Sequence, residues 1–300
     1  MKINGKKALV VGGSSGIGRE FARFFAEQSL DVAIISRNKA KLESAKQFIE
    51  KFNRNESKIY ALQGDVTSEA FGKVIDETLS SLNGVPDYVV YTAGVAFPGK
   101  FAEIPFDNFV QSVNTNYLGF VKTMHHLLQH YTDKKINVIV ISSMAALIDT
   151  FGYTTYAPTK IALRSFVKGL SYEYKDISFY VVYPIDTLTN QLISENETKP
   201  LETFLIDESG GITTPDRIVS YTMSIVAKNG KKNFYEIIPD GRFVYLVSKV
   251  FPWVIDLAVN SALGKAQKIR KEGREREVLN KMIERYRKKF EEYERKRNKT

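Results

Sequence analysis

The stretch Ala8-Leu9-Val10-Val11-Gly12-Gly13-Ser14-Ser15-Gly16-Ile17-Gly18 narrows the folds open to this chain more than any other. A short β-type run enters a turn with spaced glycines, and an amphipathic helix from Arg19 through Glu27 leaves it. Strand, glycine turn and helix in that order are the context of a dinucleotide-binding fingerprint. Gly12 allows the tight turn, Gly16 lets backbone approach a pyrophosphate, and Gly18 allows close helix–strand packing. The helix N-terminus attracts the phosphates, with Ser14, Ser15 and Ile17 completing the loop.

The alternation then continues. Strand Asp31 to Ile35 and helix Lys39 to Phe52 lead to strand Ile59 to Leu62, the turn Gly64-Asp65-Val66 and helix Ser68 to Leu82. Strand Tyr88 to Tyr91 ends at Thr92-Ala93-Gly94, and a long helix is expected from about Phe106 to Tyr131. Apolar runs Ile136 to Ile141 and Ile177 to Tyr183 read as buried strands. A polar loop to Gly211, helix Pro215 to Lys228 and strand Phe234 to Ile238 complete the count. The pattern predicts an α/β fold with a doubly wound, seven-stranded parallel sheet. Ligands of such sheets bind beyond the carboxyl ends of the strands, where Gly12, Asp65, Gly94 and Ser143 all fall.

At the end of the second strand, where NAD enzymes place an acid for the ribose hydroxyls, stand Ser36 and Arg37. With no carboxylate to repel a 2′-phosphate and a guanidinium to pair with it, NADPH is favoured over NADH.

Tyr156-Ala157-Pro158-Thr159-Lys160 supplies candidate chemistry. Pro158 belongs in a first helical turn, so a helix is expected to begin near Thr154. Tyr156 and Lys160, four apart, then share a face. A lysine ammonium close by is expected to lower the phenol's pKa and tune it as a general acid. Ser143, at the end of the Ile136 strand, is placed to hydrogen-bond the same substrate oxygen. Asn116 in the long helix reads either as holding a water in a proton path to Lys160 or as a capping or solvent-facing amide. His126 and His130 have i, i+4 spacing but no third ligand, so packing or surface roles are expected and no metal.

The chain of 300 residues has no cysteine, which excludes disulfides, zinc-thiolate sites and cysteine nucleophiles. Gly264 to Thr300 holds 15 Lys/Arg against 7 Asp/Glu, +8 of the chain's formal +9. The basic character is therefore a property of the tail. Its charges are mixed and no base-stacking platform accompanies them, so no nucleic-acid partner is expected. The opening residues lead straight toward a strand, without the pattern of a signal peptide. Phe243 to Leu263 is mostly apolar but interrupted by Lys249, Pro252 and Asp256, which favours an interfacial helix or re-entrant hairpin over a clean span. A basic tail behind it would strengthen attraction to anionic lipid. The alternative for 243–263 is a cap on the core or a homo-oligomer interface. Leu279, Ile283, Tyr286, Phe290 and Tyr293 form an apolar stripe, read as a short coiled coil or a frayed amphipathic helix.

These motifs resemble the short-chain dehydrogenase/reductases over about residues 5 to 240. Gly12, Gly16 and Gly18 match the family's cofactor motif, Asp65-Val66 its adenine contact, and Ala93-Gly94 its fourth-strand motif. Asn116, Ser143, Tyr156 and Lys160 match the catalytic tetrad in order and spacing. Thr189 stands where the segment after Pro184, with Thr187, binds the nicotinamide carboxamide. The resemblance implies a Rossmann fold in which Tyr156 and Lys160 also bind the nicotinamide ribose. Tyr91-Thr92 departs from the family's usual pair of asparagines, Val11 from its threonine, and Ile185 from its glycine.

Tyr183-Pro184-Ile185-Asp186-Thr187 and Thr198-Lys199-Pro200-Leu201-Glu202-Thr203 also look like the 3-ketodihydrosphingosine reductases. That resemblance implies NADPH-dependent reduction of 3-ketosphinganine to sphinganine, with a long-chain keto-lipid as substrate. The organisation expected is an NADP-binding domain over 1–240 with a substrate loop at 186–212, and a membrane-associated helical appendage over 241–300. The catalytic domain is expected in the cytoplasm, at the endoplasmic reticulum membrane in a eukaryote. Two rivals stand: a reductase of the same fold acting on a 3-oxoacyl-CoA or steroid, and a non-catalytic NADPH-binding scaffold.

Overall fold

The computed structural model describes residues 3–53, 57–132, 134–228 and 232–297. The strands are β1 (Lys7–Val11), β2 (Asp31–Ser36), β3 (Ile59–Gln63), β4 (Tyr88–Tyr91), β5 (Ile136–Ile141), β6 (Ile177–Val182) and β7 (Phe234–Ile237). All pair in parallel in the order β3-β2-β1-β4-β5-β6-β7. The order reverses between β1 and β4. Val11 is in register with both Ile35 and Tyr91, so the carboxyl ends of the central strands lie level along one edge.

Helices cover both faces, which explains why the strands are apolar almost throughout. Alternate residues serve opposite sides. Leu9 and Val11 join the core beneath α3 (Phe71–Ser81), α5 (Gly119–Gln129) and α6 (Ala157–Glu173). Ala8 and Val10 join the core beneath α1 (Gly16–Glu27), α2 (Lys39–Glu50) and α9 (Pro215–Val226). The long helix expected over 106–131 is α4 (Phe106–Ser112) running into α5 through a π turn, Val113–Leu118.

The polar segment after β6 is not one long loop. It holds α7 (Asn190–Glu195) and α8 (Leu201–Gly210). Beyond β7 come α10 (Arg242–Val250), α11 (Pro252–Lys271) and α12 (Glu275–Arg297). Among the described residues no single helix is long and apolar enough to cross a membrane, but α10 and α11 form an apolar pair bent by 110°.

The apolar stripe of α12 is neither frayed nor a coiled coil. It packs, with Ala266 of α11, onto Leu188, Leu192, Leu201 and Phe204 to make a third core. Ion pairs fasten this assembly: Arg270 to Glu202 at 2.6 Å, Arg285 to Glu208 at 3.0 Å, and Arg19 of α1 to Glu294 at 3.1 Å. Several tail cations are thereby spent on internal carboxylates, which weakens the expectation that the tail as a whole meets lipid.

Candidate active site

The β1–α1 turn fits a dinucleotide. Gly12 has φ +88°, and a Cβ on Gly18 would lie 2.3 Å from the Gly12 carbonyl oxygen, so both must be glycine. Ser15 occupies the N-cap of α1, yet its side chain caps nothing, and the first turn holds no acid. The helix thus presents uncapped N–H groups and the positive end of its dipole. Thr92, a departure from the family pattern, donates toward the Val11 and Gly12 carbonyls at 3.0 and 3.1 Å and steadies this turn. Tyr91 also finds a partner: its phenol donates to the Thr115 carbonyl at 2.6 Å, within the π turn.

A crevice of about 640 Å³ opens here. Gly12, Ser14, Ser15, Gly16, Ile17, Gly18, Arg37, Val66, Ala93 and Gly94 line one part of it. Ser143, Tyr156, Lys160, Pro184, Thr187 and Thr189 line another. Asp65 and Asn116 do not line it. Asp65 Oδ1 accepts from the backbone N–H and hydroxyl of Thr67 at 2.9 and 2.8 Å and so shapes its own turn. Thr189 Oγ1 accepts from Leu192 N as the N-cap of α7. Ser14 and Ser36 share a 2.7 Å hydroxyl hydrogen bond, and Arg37 is exposed beside them with no ion pair among the described residues. We expect Arg37→Gln to lower the NADPH-over-NADH ratio of kcat/KM by about 30-fold, as loss of a charge-assisted bond to phosphate implies. An unchanged ratio would remove Arg37 from the 2′-phosphate site.

Tyr156 is the N-cap of α6, with Pro158 in the first turn, so the helix starts slightly later than expected. Ser142 anchors that turn to β5, donating to the Lys160 carbonyl at 2.9 Å. Lys160 is 4% exposed, and its Nζ donates to the Ile141 carbonyl at 2.9 Å and lies 5.4 Å from the Tyr156 ring centre. Burial lowers its pKa to about 8, against a weaker opposing pull from Glu195. The expected lowering of Tyr156 is not what the structure shows. Burial pushes the phenol up, Glu195 pushes it further, and hydrogen bonds with Ser143 and Gln191 pull it only partly back. Tyr156 therefore holds its proton at neutral pH, the form needed to protonate a carbonyl oxygen.

Asn116 is fully buried, not solvent-facing. Its Oδ1 accepts from Val95 N at 2.8 Å, while Nδ2 donates to the Val95 carbonyl and to Thr159 Oγ1, both at 2.9 Å. Both amide protons are in use, so the side chain braces the β4 turn against α6. Thr159 Oγ1 in turn donates to the Tyr156 carbonyl at 2.7 Å.

Sequence reasoning missed a buried group beside this site. Tyr153, Glu195 and the partly buried Asp207 line the crevice, and the buried Lys199 has its Nζ 5.7 Å from the Tyr153 ring and 2.8 Å from Asp207 Oδ2. The i, i+4 spacing of Glu195 and Lys199 was visible, but nothing local shows that both face inward.

A family model described as short chain dehydrogenase matches residues 6–200. The chain belongs to the short-chain dehydrogenase family. It is an oxidoreductase of that family. Its curated relatives include the 3-dehydrosphinganine reductase of Danio rerio, 35% identical over 224 residues, covering 73% of this chain and 67% of the relative. The 3-ketodihydrosphingosine reductase of Mus musculus is 34% identical over the same shares of each chain. That of Dictyostelium discoideum is 33% identical over 76% of this chain and 74% of its own. Solved dehydrogenases share the fold. An alcohol dehydrogenase from Thermococcus sibiricus, complexed with 5-hydroxy-NADP, superposes with TM-score 0.67 at 21% identity, covering 78% of this chain and 95% of its own. An enzyme from Burkholderia phymatum in complex with NAD reaches TM-score 0.71 at 16% identity, covering 86% and 96%.

Proposed function

We propose that this chain reduces the 3-keto group of a long-chain sphingoid ketone, 3-ketosphinganine to sphinganine, with NADPH, at a membrane surface. One observation carries the lipid part of this reading. The crevice that holds Ser143, Tyr156 and Lys160 continues along Val244 of α10 and Ile255, Ala258 and Val259 of α11. Other faces of the same two helices expose Phe243, Leu246, Val250, Trp253 and Leu257, each more than half exposed. An apolar chain can thus run from the catalytic wall toward a surface that itself favours lipid. The names of the relatives favour the sphingoid ketone over an acyl-CoA or steroid.

The uncapped N-terminus of α1, the Gly12–Gly18 loop and Arg37 would hold NADPH, which when bound supplies the hydride. Ser143 donates a hydrogen bond to the ketone oxygen and orients it. Tyr156 delivers its proton to that oxygen as the carbonyl carbon is reduced, leaving a secondary alcohol. Lys160 supports the resulting phenolate with its charge. Asn116 acts through Thr159 and the β4 turn to fix the start of α6.

The test is NADPH oxidation with 3-ketosphinganine in mixed micelles, with sphinganine identified by mass. Reduction of a 3-oxoacyl-CoA or steroid ketone but not 3-ketosphinganine would overturn the substrate. Absence of any NADPH-consuming activity across that panel would favour a scaffold instead.

A further inference from the structure

One group in the crevice has no part in the steps above. Glu195 ends α7 and is buried in the wall that carries Tyr156. Its Oε2 accepts from the Tyr153 phenol at 3.0 Å and its Oε1 from the Gln191 amide at 2.7 Å. Both donors are neutral.

Lys199 and Lys160 attract the Glu195 carboxylate through space, but their direct bonds go to other groups. Lys199 Nζ lies 2.8 Å from Asp207 Oδ2 and 3.7 Å from Asp186 Oδ2, and among the described residues no ion pair joins it to Glu195. Lys160 donates to the Ile141 carbonyl. Asp186, Glu195 and Asp207 thus gather near Lys199, with Lys160 the second cation of this wall, and burial, with repulsion from Asp186, pushes the Glu195 and Asp207 carboxyls up, Asp207 to about 7. Asp186 Oδ2 is itself buried and accepts no hydrogen bond. A carboxylate taken out of water and hydrogen-bonded only by neutral donors is relieved further when a cation bonds to it directly.

The position of Glu195 relative to the chemistry is specific. The Tyr153 ring, whose hydroxyl binds Glu195, lies 5.8 Å from the Tyr156 ring. Gln191, the other partner of Glu195, also reaches the Tyr156 phenol. A cation paired with Glu195 would therefore sit beside the oxygen that Tyr156 protonates. Asp149, also on the crevice, is exposed, so water screens its attraction.

We propose that Glu195 is the counter-ion for a substrate ammonium one carbon away from the ketone, so that the crevice selects α-amino ketones. The inference rests on the sphingoid-ketone reading, whose substrate bears a primary amine at that carbon. Tyr153 and Gln191 then serve as positioning residues that hold the carboxylate toward the crevice.

The experiment compares kcat/KM for 3-ketosphinganine, for the same ketone lacking the amine, and for its N-acetyl derivative. In the wild-type protein the amino ketone should exceed both by about 30-fold or more, because the alternatives leave the buried carboxylate unpaired. In Glu195→Gln that ratio should collapse toward one. A purely structural Glu195 would lower all three substrates together and preserve the ratio, which overturns the proposal. A wild-type ratio below about 3 overturns it as well, and that comparison decides even if the variant does not fold. Reduction of the desamino ketone alone refutes amine recognition while keeping a ketone reductase. Turnover of none of the three refutes the sphingoid-ketone reading, and this inference with it.

Discussion

Tyr156→Phe is expected to lower ketone reduction by about 10³-fold, within the range that a positioned general acid supplies. The substitution removes one oxygen and keeps the ring that lies 5.8 Å from Tyr153 and 5.4 Å from Lys160 Nζ. The hydroxyl is held protonated by burial and by Glu195, so it can give its proton to a developing alkoxide and then needs Lys160 to support the charge left behind. Without it, protonation falls to water, and Ser143 alone orients the substrate oxygen. NADPH binding should change only a few-fold, since the glycine loop, the α1 N-terminus and Arg37 are untouched. Steady-state turnover together with NADPH fluorescence titration checks both halves. Turnover within about threefold of wild type would assign the proton to another group.

The parts of this site that could be read from the sequence are those whose chemistry is local. Gly12 and Gly18 announce a close approach wherever they stand between strand and helix, and the structure shows the contacts that forbid a Cβ. The buried parallel strands are legible because both faces need apolar residues. Tyr156 and Lys160 are four apart on one helix, but the sign of the phenol's shift was not legible. Only Lys160 is near in sequence, whereas Glu195, which pushes the opposite way, is brought in by the segment after β6. Asn116 stayed ambiguous for a related reason: its partners, Val95 and Thr159, lie on two other segments. The helices α7 and α8 escaped detection because their apolar residues, Leu192, Leu201 and Phe204, complete a core only when α12 arrives from the far end of the chain. The same dependence made the stripe on α12 ambiguous, since a stripe records that a face is buried and not what buries it.

That dependence makes Tyr286→Ala informative. Tyr286 is 1% exposed, its ring centre lies 5.9 Å from that of Phe204, and Lys199 Nζ lies 5.9 Å from the ring. Truncating a buried aromatic to alanine costs about 3–5 kcal/mol. If α12 merely coated a rigid domain, the whole cost would appear as a lower melting temperature. The core it completes belongs to α7 and α8, however, and these carry Gln191, Glu195 and the Asp207 carboxylate that pairs with Lys199. The cost is therefore expected first as local opening of 190–210, with amide exchange there accelerated by about 100-fold or more. The apparent KM for the lipid ketone should rise by about tenfold, because substrate binding must then close the segment again. NADPH affinity should hold within a few-fold, as the β1–α1 turn lies outside this core. Hydrogen exchange read peptide by peptide separates the cases. Unchanged exchange in α7 and α8 with a uniformly lowered melting temperature would show α12 to be a passive cover and not the support of the substrate-facing wall.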